Sequence, residues 1–342
     1  MGQLAHISRK VAANEEEGGH VREAAYIWMD GELVPWGEAR VHVLTHALHY
    51  GTAVFEGTRV FATPDGPAVF RLEEHLARLV RSARMIGLPL PYSVDELRAA
   101  TLETVAANGH ADCYIRHLAH RGYGEMGIAA RRCPTAVSVA TWEWPPLLGT
   151  SGVRLMTSSW RRNDHRVVPV AAKATGPYLN SVLAKDEAMA AGYDEAVLLN
   201  AAGHVSECTG ANLFVVRDGR LLTPPPGAGA LDGITQDTLE RLAADLDVPA
   251  VRQDLMRTDL YAADEILLCG TGAGVVHVTA VDGRELGGPG PVTQKLADAY
   301  DAVTHGRDDR HRDWLTPVPA SGGPGRSAAR PHDPASDLVS RA

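Results

Sequence analysis

The sequence predicts an α/β protein made of two lobes with a cleft between them. At about 150 residues per domain, its 342 residues suggest two domains. Predicted strands and helices occur in two blocks, separated by the Pro- and Gly-rich stretch WEWPPLLGTSG. The expected parts are a flexible arm (1–23), a small α/β domain (24–144), a linker (145–152), a larger mixed-sheet domain (153–316) and a disordered tail (317–342).

The composition limits the class of protein. Hydrophobic residues make up 45% of the chain and charged residues 22%, which is ordinary for a soluble globular protein. The net charge of -9 disfavours nucleic acid as a partner. The chain has no apolar run of about 18 residues, no apolar signal core at its start and no C-x-x-C pair. We therefore expect a cytoplasmic enzyme or binding protein without a metal site.

The first block begins with two predicted hairpins. YIWM and ELVPW flank an Asp-Gly turn, and TRVFA and AVFRL flank TPDG. Apolar residues at helical spacing then predict a helix over 72–86. Ser93 and Glu96 have the spacing of a capping box, which predicts the start of the next helix. CYIRHLA and TAVSVAT complete the block as strands.

The second block alternates strands with helices. The predicted strands are VRLMTSS, EAVLLN, NLFVVR, EILLCG and VVHVTAV, and the predicted helices cover 178–191, 234–245 and 291–304. Two such blocks favour a ligand-binding cleft where they meet.

One lysine stands out because lysine is scarce in this chain. Lys173 lies in VPVAAKATGPY, among small and apolar residues and without a nearby carboxylate. An enclosed amine can attack a carbonyl and form a Schiff base, which points to pyridoxal 5′-phosphate as a cofactor. The same surroundings also fit a lysine whose stem is buried while its ammonium group stays in water.

Such a cofactor needs a carboxylate at its ring nitrogen and donors for its phosphate. Glu207, in HVSECTGANLF, is a candidate for the carboxylate. Thr235 begins a predicted helix, and the glycine-rich turn 270–273 follows a predicted strand, so both offer backbone N–H groups to an anion. Each pattern alone is also typical of a surface carboxylate, a helix cap or an ordinary turn.

An extended pattern joins these segments: Glu207-x-Thr209-x-x-Asn212-Leu213-Phe214, then Leu221-x-Thr223, then Leu231-x-Gly233-Ile234-x-Gln236. The pattern is extended by HALHYGTAVFEGTR, VFRLEEHLARL, YIR, TSSWRR and VPVAAKATGPYLNS. Over about residues 26–315 the chain resembles the branched-chain amino acid aminotransferases of the class IV, pyridoxal-phosphate-dependent family. The resemblance implies the two-domain fold type IV, with the cofactor at the domain interface.

The resemblance also implies roles for individual residues. Lys173 is the catalytic Schiff-base lysine, Tyr178 binds the phenolic oxygen of the cofactor, and Glu207 binds the ring nitrogen. The remaining cofactor residues are Arg71, Ile234, Thr235, Gly270 and Thr271. The substrate residues are Tyr50, Phe55, Arg59, Tyr114, Arg116, Trp160, Gly272 and Ala273. Among the cofactor residues Arg71 is expected to hold the phosphate, and among the substrate residues Arg59 is expected to meet the far carboxylate of glutamate.

The implied activity moves an amino group between leucine, isoleucine or valine and 2-oxoglutarate. The implied assembly is a homodimer or a hexamer, with segment 122–130 completing the neighbour's site. Four residues depart from the usual pattern: His117, Pro177, Gln236 and Gly272. They keep open a same-class aminotransferase that acts on an unusual amino acid. The sequence also fits an aminodeoxychorismate-lyase-like enzyme and a non-catalytic binding module.

Overall fold

The computed structural model describes residues 21–144, 148 and 151–320. Most of the expected arm, linker and tail therefore lies outside the described residues. Two β-sheets with flanking helices make up the described part, so the predicted α/β class is confirmed.

The first sheet has seven antiparallel strands. They are β1 (Tyr26–Met29), β2 (Glu32–Pro35), β3 (Ala53–Thr63), β4 (Gly66–Phe70), β5 (Cys113–Arg121), β6 (Thr135–Trp142) and β16 (Leu315–Pro317). Their order is β16-β4-β3-β5-β6-β1-β2. Both predicted hairpins are confirmed as β1–β2 and β3–β4. The short strand β16 was not predicted, and it brings the far end of the described chain back to β4.

Three helices belong to this sheet: α1 (His46–Tyr50), α2 (Leu72–Met85) and α3 (Val94–Asn108). One face of α2 is buried because Leu72, Leu76 and Leu79 follow helical spacing and pack into the core of the sheet. The capping box of α3 is confirmed. The Ser93 backbone N–H donates to Glu96 Oε2 at 2.7 Å, and the Glu96 N–H donates back to the serine hydroxyl at 3.3 Å.

The second sheet is mixed and has nine strands. They are β7 (Val153–Arg161), β8 (Glu195–Leu199), β9 (Val205–Cys208), β10 (Asn212–Arg217), β11 (Arg220–Thr223), β12 (Ala250–Arg252), β13 (Glu265–Gly270), β14 (Gly274–Val281) and β15 (Arg284–Glu285). Their order is β12-β11-β10-β13-β14-β7-β8-β9, and β15 pairs with β14. Strand β7 runs parallel to both of its neighbours, and all five residues of the adjacent β8 are buried.

The helices of this second unit are α4 (Tyr178–Ala190), α5 (Ile234–Asp245), α6 (Arg257–Tyr261) and α7 (Pro291–Thr304). The three longer ones were predicted and are confirmed. The five-residue helix α6 and the shortest strands were missed because they contain too few residues to show a period. No helix among the described residues combines the length and the apolar character that crossing a membrane requires.

An aromatic cluster packs the two sheets together. Phe61 and Phe70 of the first sheet share one buried cluster with Phe214 of the second, with Tyr300 of α7 and with Trp314. Buried aromatic side chains contribute large apolar areas and favour edge-to-face contacts such as that of Phe70 with Tyr300. The cluster holds the two sheets next to each other and so frames the space between them.

Ser93→Ala removes the hydroxyl of the capping box and should lower the free energy of unfolding by about 1 kcal/mol. Urea unfolding followed by far-ultraviolet circular dichroism measures the change. Ser93→Thr keeps a hydroxyl at this position and serves as the control. Equal losses in the two variants would contradict a stabilising role for this hydrogen bond.

Candidate active site

Lys173 lies in a cavity between the two sheets. The first sheet and its helix hold the backbone of the lysine. The Phe55 N–H donates to the Lys173 carbonyl at 3.0 Å, and the Lys173 N–H donates to Ser82 Oγ at 3.0 Å. The side-chain amine donates to Tyr178 Oη at 2.8 Å and lies 4.9 Å from the centre of the Phe55 ring. The amine is therefore inside the cavity beside a phenol, as a nucleophilic role requires.

Glu207 is a buried carboxylate on β9 that faces the same cavity. Its Oε1 pairs with Arg162 Nη2 at 2.5 Å. Its Oε2 accepts hydrogen bonds from the Leu231 N–H at 2.9 Å and from Asn212 Nδ2 at 3.4 Å. Three donors thus fix this carboxylate, which leaves acceptor capacity for one more. The alternative of an ordinary surface carboxylate does not apply to it.

The cavity measures about 190 Å³ and collects most of the residues that the sequence singled out. Those that line it are Phe55, Tyr114, Arg116, Lys173, Tyr178, Glu207, Ile234, Thr235, Gly270, Thr271 and Gly272.

One end of the cavity suits an anion. Gly233 is the N-cap residue of α5, and in the described structure no side chain caps this helix. The first N–H groups of α5, beginning with those of Ile234 and Thr235, therefore remain for a ligand. The N-terminus of a helix also carries about half a positive charge. Thr271 and Gly272, on the turn between β13 and β14, line the same cavity. Phosphate is the anion that such N-termini commonly bind.

Arg71 does not line the cavity, contrary to the expectation from sequence. Its guanidinium pairs with Glu74, with Asp237 Oδ2 at 2.8 Å and with Thr238 Oγ1 at 3.1 Å. Two of these partners lie beyond the first residues of α5, so Arg71 lies along the side of that helix. Arg78, two turns further along α2, lines the cavity instead. Arg71 is the N-cap residue of α2 and has a left-handed backbone (φ 53°), whereas Arg78 lies within the helix. Both belong to the segment VFRLEEHLARL, and its pattern does not show which of the two side chains reaches the cavity.

Four expected substrate residues also lie outside the cavity lining: Tyr50, Arg59, Trp160 and Ala273. Arg59 pairs with Asp112 Oδ1 at 2.9 Å, so its charge is already matched. Trp160 and Tyr50 are each 46% exposed at the surface. Ala273 is buried immediately after Gly272, which does line the cavity.

Arg116 is the cation on the aromatic wall of the cavity. Its guanidinium carbon lies 4.7 Å from the centre of the Phe55 ring and 5.4 Å from that of Tyr114. Its Nε is buried and has no hydrogen-bond partner among the described residues. The ring centres of Trp144 and Tyr114 are 4.6 Å apart, and Trp144 lines the same wall. The wall therefore offers an apolar surface with one positive charge available to a ligand.

The sequence matches the family described as amino-transferase class IV over residues 53–281. The chain belongs to the class IV aminotransferases. It is 41% identical over 298 residues to the branched-chain-amino-acid aminotransferase of Pseudomonas aeruginosa, and the match covers 85% of this chain and 97% of the relative.

Solved structures of this aminotransferase family agree with the fold. The structure is similar to that of the Escherichia coli branched-chain amino acid aminotransferase. The TM-score is 0.85 at 41% identity, and the match covers 87% of this chain and 100% of the other. It is equally similar to the T.th. branched-chain amino acid aminotransferase with pyridoxamine 5′-phosphate. That match has a TM-score of 0.85 at 44% identity, with coverage of 88% and 100%.

The four departures from the usual aminotransferase pattern fall into two groups. His117 lies outside the cavity lining, fully buried, with its Nε2 2.8 Å from Thr101 Oγ1. Gln236 is also buried outside the lining, and its amide donates to a threonine hydroxyl at 2.8 Å. Pro177 and Gly272 line the cavity. Only the second group is placed to affect what this aminotransferase binds.

Sequence reasoning missed four residues of this aminotransferase site. Arg78 and Arg162 lie in segments that the resemblance already used, VFRLEEHLARL and TSSWRR, but no pattern marked their side chains. Asn212 belongs to the extended pattern, yet its bond to Glu207 appears only in three dimensions. Trp144 is the last residue before the expected linker, and no sequence pattern identified it as part of a site.

The buried imidazole of His117 should make the stability of this aminotransferase depend on pH. Burial lowers the pKa of His117 from 6.5 to about 4. Between these values the unfolded state binds more protons, so stability is lost as the pH falls through this range. His117→Gln should remove about 2 kcal/mol of the pH dependence between pH 7 and pH 5.

The measurement is the free energy of unfolding of each variant at both pH values. The exposed His165→Gln serves as the control. If the wild-type and His117→Gln values change in parallel with pH, the buried histidine does not make this contribution.

Proposed function

We propose that this protein is a pyridoxal 5′-phosphate-dependent aminotransferase that moves the amino group between a branched-chain L-amino acid and 2-oxoglutarate. Leucine, isoleucine and valine are the proposed amino acids. The observation that carries the proposal is one cavity that holds the Lys173 amine, the Glu207 carboxylate and the N-terminus of α5. Membership of the class IV aminotransferases and 41% identity to a branched-chain-amino-acid aminotransferase support it.

The residues present fit the cofactor. Lys173 is the amine for its aldehyde, and Tyr178 is the donor for its phenolic oxygen. Glu207, fixed by its three donors, is the acceptor for the ring N–H. The phosphate would be held by the start of α5, with the hydroxyls of Thr235 and Thr271 and the guanidinium of Arg78, and Arg78 takes the role first expected of Arg71. When bound, the cofactor supplies an electron-withdrawing ring that stabilises negative charge on the substrate Cα.

The protein side chains move and hold protons around this group. Once the amino group of the substrate has displaced it from the aldehyde, the freed Lys173 amine would be the base that moves the proton of the substrate Cα. A base positioned in this way typically contributes about 10²- to 10⁴-fold to a rate. The Tyr178 hydroxyl, 2.8 Å from Nζ, orients the amine. The Arg162 guanidinium holds Glu207 in place, so the carboxylate does not have to reorganise during the reaction.

The aromatic wall determines which side chains the site accepts. Phe55, Tyr114 and Trp144 offer an apolar surface for an aliphatic side chain. One methylene changes discrimination by about 1–3 kcal/mol, so such a surface accepts leucine, isoleucine and valine together. Arg116, on the same wall, is the partner for the far carboxylate of glutamate and 2-oxoglutarate. It replaces Arg59, whose charge is matched by Asp112.

A second copy of the chain is the proposed partner. Helix α1 and segment 122–130 lie side by side, since His46 bonds the carbonyl of Gly127 at 2.8 Å. Together they expose large apolar side chains, among them Leu48, which is 63% exposed, and Ile128, which is 93% exposed. Exposed apolar surface of this kind marks interaction sites, and Tyr50 belongs to the same surface. We propose a homodimer in which this surface borders the neighbour's cavity.

The purified protein should be yellow and should transfer the amino group of leucine, isoleucine and valine to 2-oxoglutarate. Lys173→Ala should abolish both the visible absorbance of the cofactor and turnover, while Lys185→Ala should retain both. Product analysis with each amino acid measures this. Negligible turnover of all three would contradict the branched-chain assignment. Release of pyruvate from a chorismate-derived amine without an oxo-acid acceptor would indicate a lyase.

Arg116→Gln should raise the KM for 2-oxoglutarate by about 10- to 100-fold, because one charge-assisted contact contributes about 1.5–3 kcal/mol. The KM for leucine, which has no second carboxylate, should change little. Steady-state kinetics with each substrate varied in turn measures the two constants. Arg59→Gln is the matched control, and a larger effect of this variant than of Arg116→Gln would restore the role first expected of Arg59.

A further inference from the structure

A buried acid lies next to the cavity without lining it. Glu56, on β3, has no exposed surface. Its Oε1 accepts a hydrogen bond from Arg78 Nε at 2.6 Å, and its Oε2 accepts one from Arg78 Nη2 at 2.9 Å. This is the two-pronged geometry in which one edge of a guanidinium meets a carboxylate. The pair is therefore oriented as well as neutralised.

His75 supports the same carboxylate from the preceding turn of α2. Its Nδ1 lies 2.8 Å from Glu56 Oε2. Burial lowers the pKa of His75, so the ring is neutral at pH 7 and its Nδ1–H donates to the carboxylate. Burial acts to raise the pKa of Glu56, but the charge and hydrogen bonds of Arg78 outweigh it and hold this pKa well below its usual range. Glu56 therefore stays charged wherever the protein is folded near neutral pH.

Arg78 also reaches the second unit of the fold. Its Nη1 donates to the carbonyl of Asp232 at 2.9 Å. Asp232 precedes Gly233, the N-cap residue of α5, and follows Leu231, whose N–H donates to Glu207. The guanidinium thus connects Glu56 with the loop that leads into the anion-binding end of the cavity.

Two N–H groups of Arg78 remain available to a ligand. A guanidinium has five N–H groups in a fixed plane. Glu56 takes the Nε hydrogen and one on Nη2, and Asp232 takes one on Nη1. One hydrogen on each terminal nitrogen is left, and no other described residue accepts them. Because Glu56 takes the Nε-side edge, the hydrogen left on Nη2 points along the opposite end of the guanidinium, where it can donate to an oxygen of a phosphate group.

We propose that Glu56 is a positioning residue that fixes Arg78 so that the free end of the guanidinium meets the phosphate of the cofactor. This inference rests on the proposed function, because it needs a phosphorylated cofactor in the cavity. Glu56 itself touches neither substrate nor cofactor. It acts by holding one edge of the arginine, which leaves only the opposite end available.

The test compares two forms of the cofactor that differ only in the phosphate. The full-length apoprotein is titrated with pyridoxal 5′-phosphate and, separately, with pyridoxal, and the Kd of each is measured from the change in absorbance. Glu56→Gln keeps the size of the side chain but loses the charge. It should weaken binding of pyridoxal 5′-phosphate by about 10- to 100-fold, because correctly placed charged hydrogen bonds are lost. Binding of pyridoxal should stay within about twofold.

The control is Glu265→Gln, which changes another buried carboxylate. Glu265 accepts a hydrogen bond from the Thr293 N–H at 2.7 Å, near the start of α7, and it lies outside the cavity lining. In Glu265→Gln the ratio of the Kd for pyridoxal to the Kd for pyridoxal 5′-phosphate should therefore match that of the wild type. If Glu56→Gln does not fold, Glu56→Asp is tested instead. This variant keeps the negative charge but has a shorter side chain. Its preference for pyridoxal 5′-phosphate over pyridoxal should still be lower than that of the wild type.

Each outcome has a distinct meaning. Equal weakening of both ligands by Glu56→Gln, or no weakening of either, would overturn the positioning role. Failure of the wild-type protein to bind pyridoxal 5′-phosphate would instead overturn the proposed function, independently of Glu56.

Discussion

The site depends on how the segment that carries Lys173 is attached to the first sheet. In sequence the lysine lies between β7 and β8 of the second sheet, but its backbone bonds to Phe55 of β3 and to Ser82 of α2. Ala174 likewise forms a β-bridge with Val54. Because the backbone is fixed on both sides of the lysine, only the side-chain rotations remain to be ordered. The bond to Tyr178 restricts these as well. Ordering of this kind lowers the entropy cost of bringing the amine to a reacting carbon.

The charges around the cavity follow one arrangement. Two buried carboxylates at the cavity are each paired with an arginine: Glu207 with Arg162, and Glu56 with Arg78. Taking such groups out of water is costly, and the cost is offset only when the geometry satisfies both partners. Arg116 has no hydrogen bond at its Nε within the described part of the chain. The arrangement therefore fixes Glu207 and Arg78, which we propose as cofactor residues, and leaves the charge of Arg116 for the substrate carboxylate that we propose as its partner.

The sequence was sufficient for the longer elements and for the centre of the site. Helical spacing and the capping box at Ser93 predicted the helices, and the scarcity of lysine together with the extended pattern pointed to Lys173 and Glu207. The sequence did not show which of Arg59 and Arg116 lines the cavity. In the pairing of β3 with β5, Arg116 lies opposite Gly57, which lines the cavity, whereas Arg59 lies two pairs further along. A register between distant strands leaves no local mark in either segment, and neither does a bond such as that from Arg162 to Glu207.

We propose that Lys173 carries the cofactor. Sodium borohydride reduces a linkage between an amine and an aldehyde to a stable bond, so the labelled residue can be located by peptide mass spectrometry of the full-length protein. We expect the mass of the reduced cofactor on the peptide that contains Lys173 and on no peptide that contains Lys10, Lys185 or Lys295. A label on one of those three lysines, or no label after incubation with pyridoxal 5′-phosphate, would contradict the account.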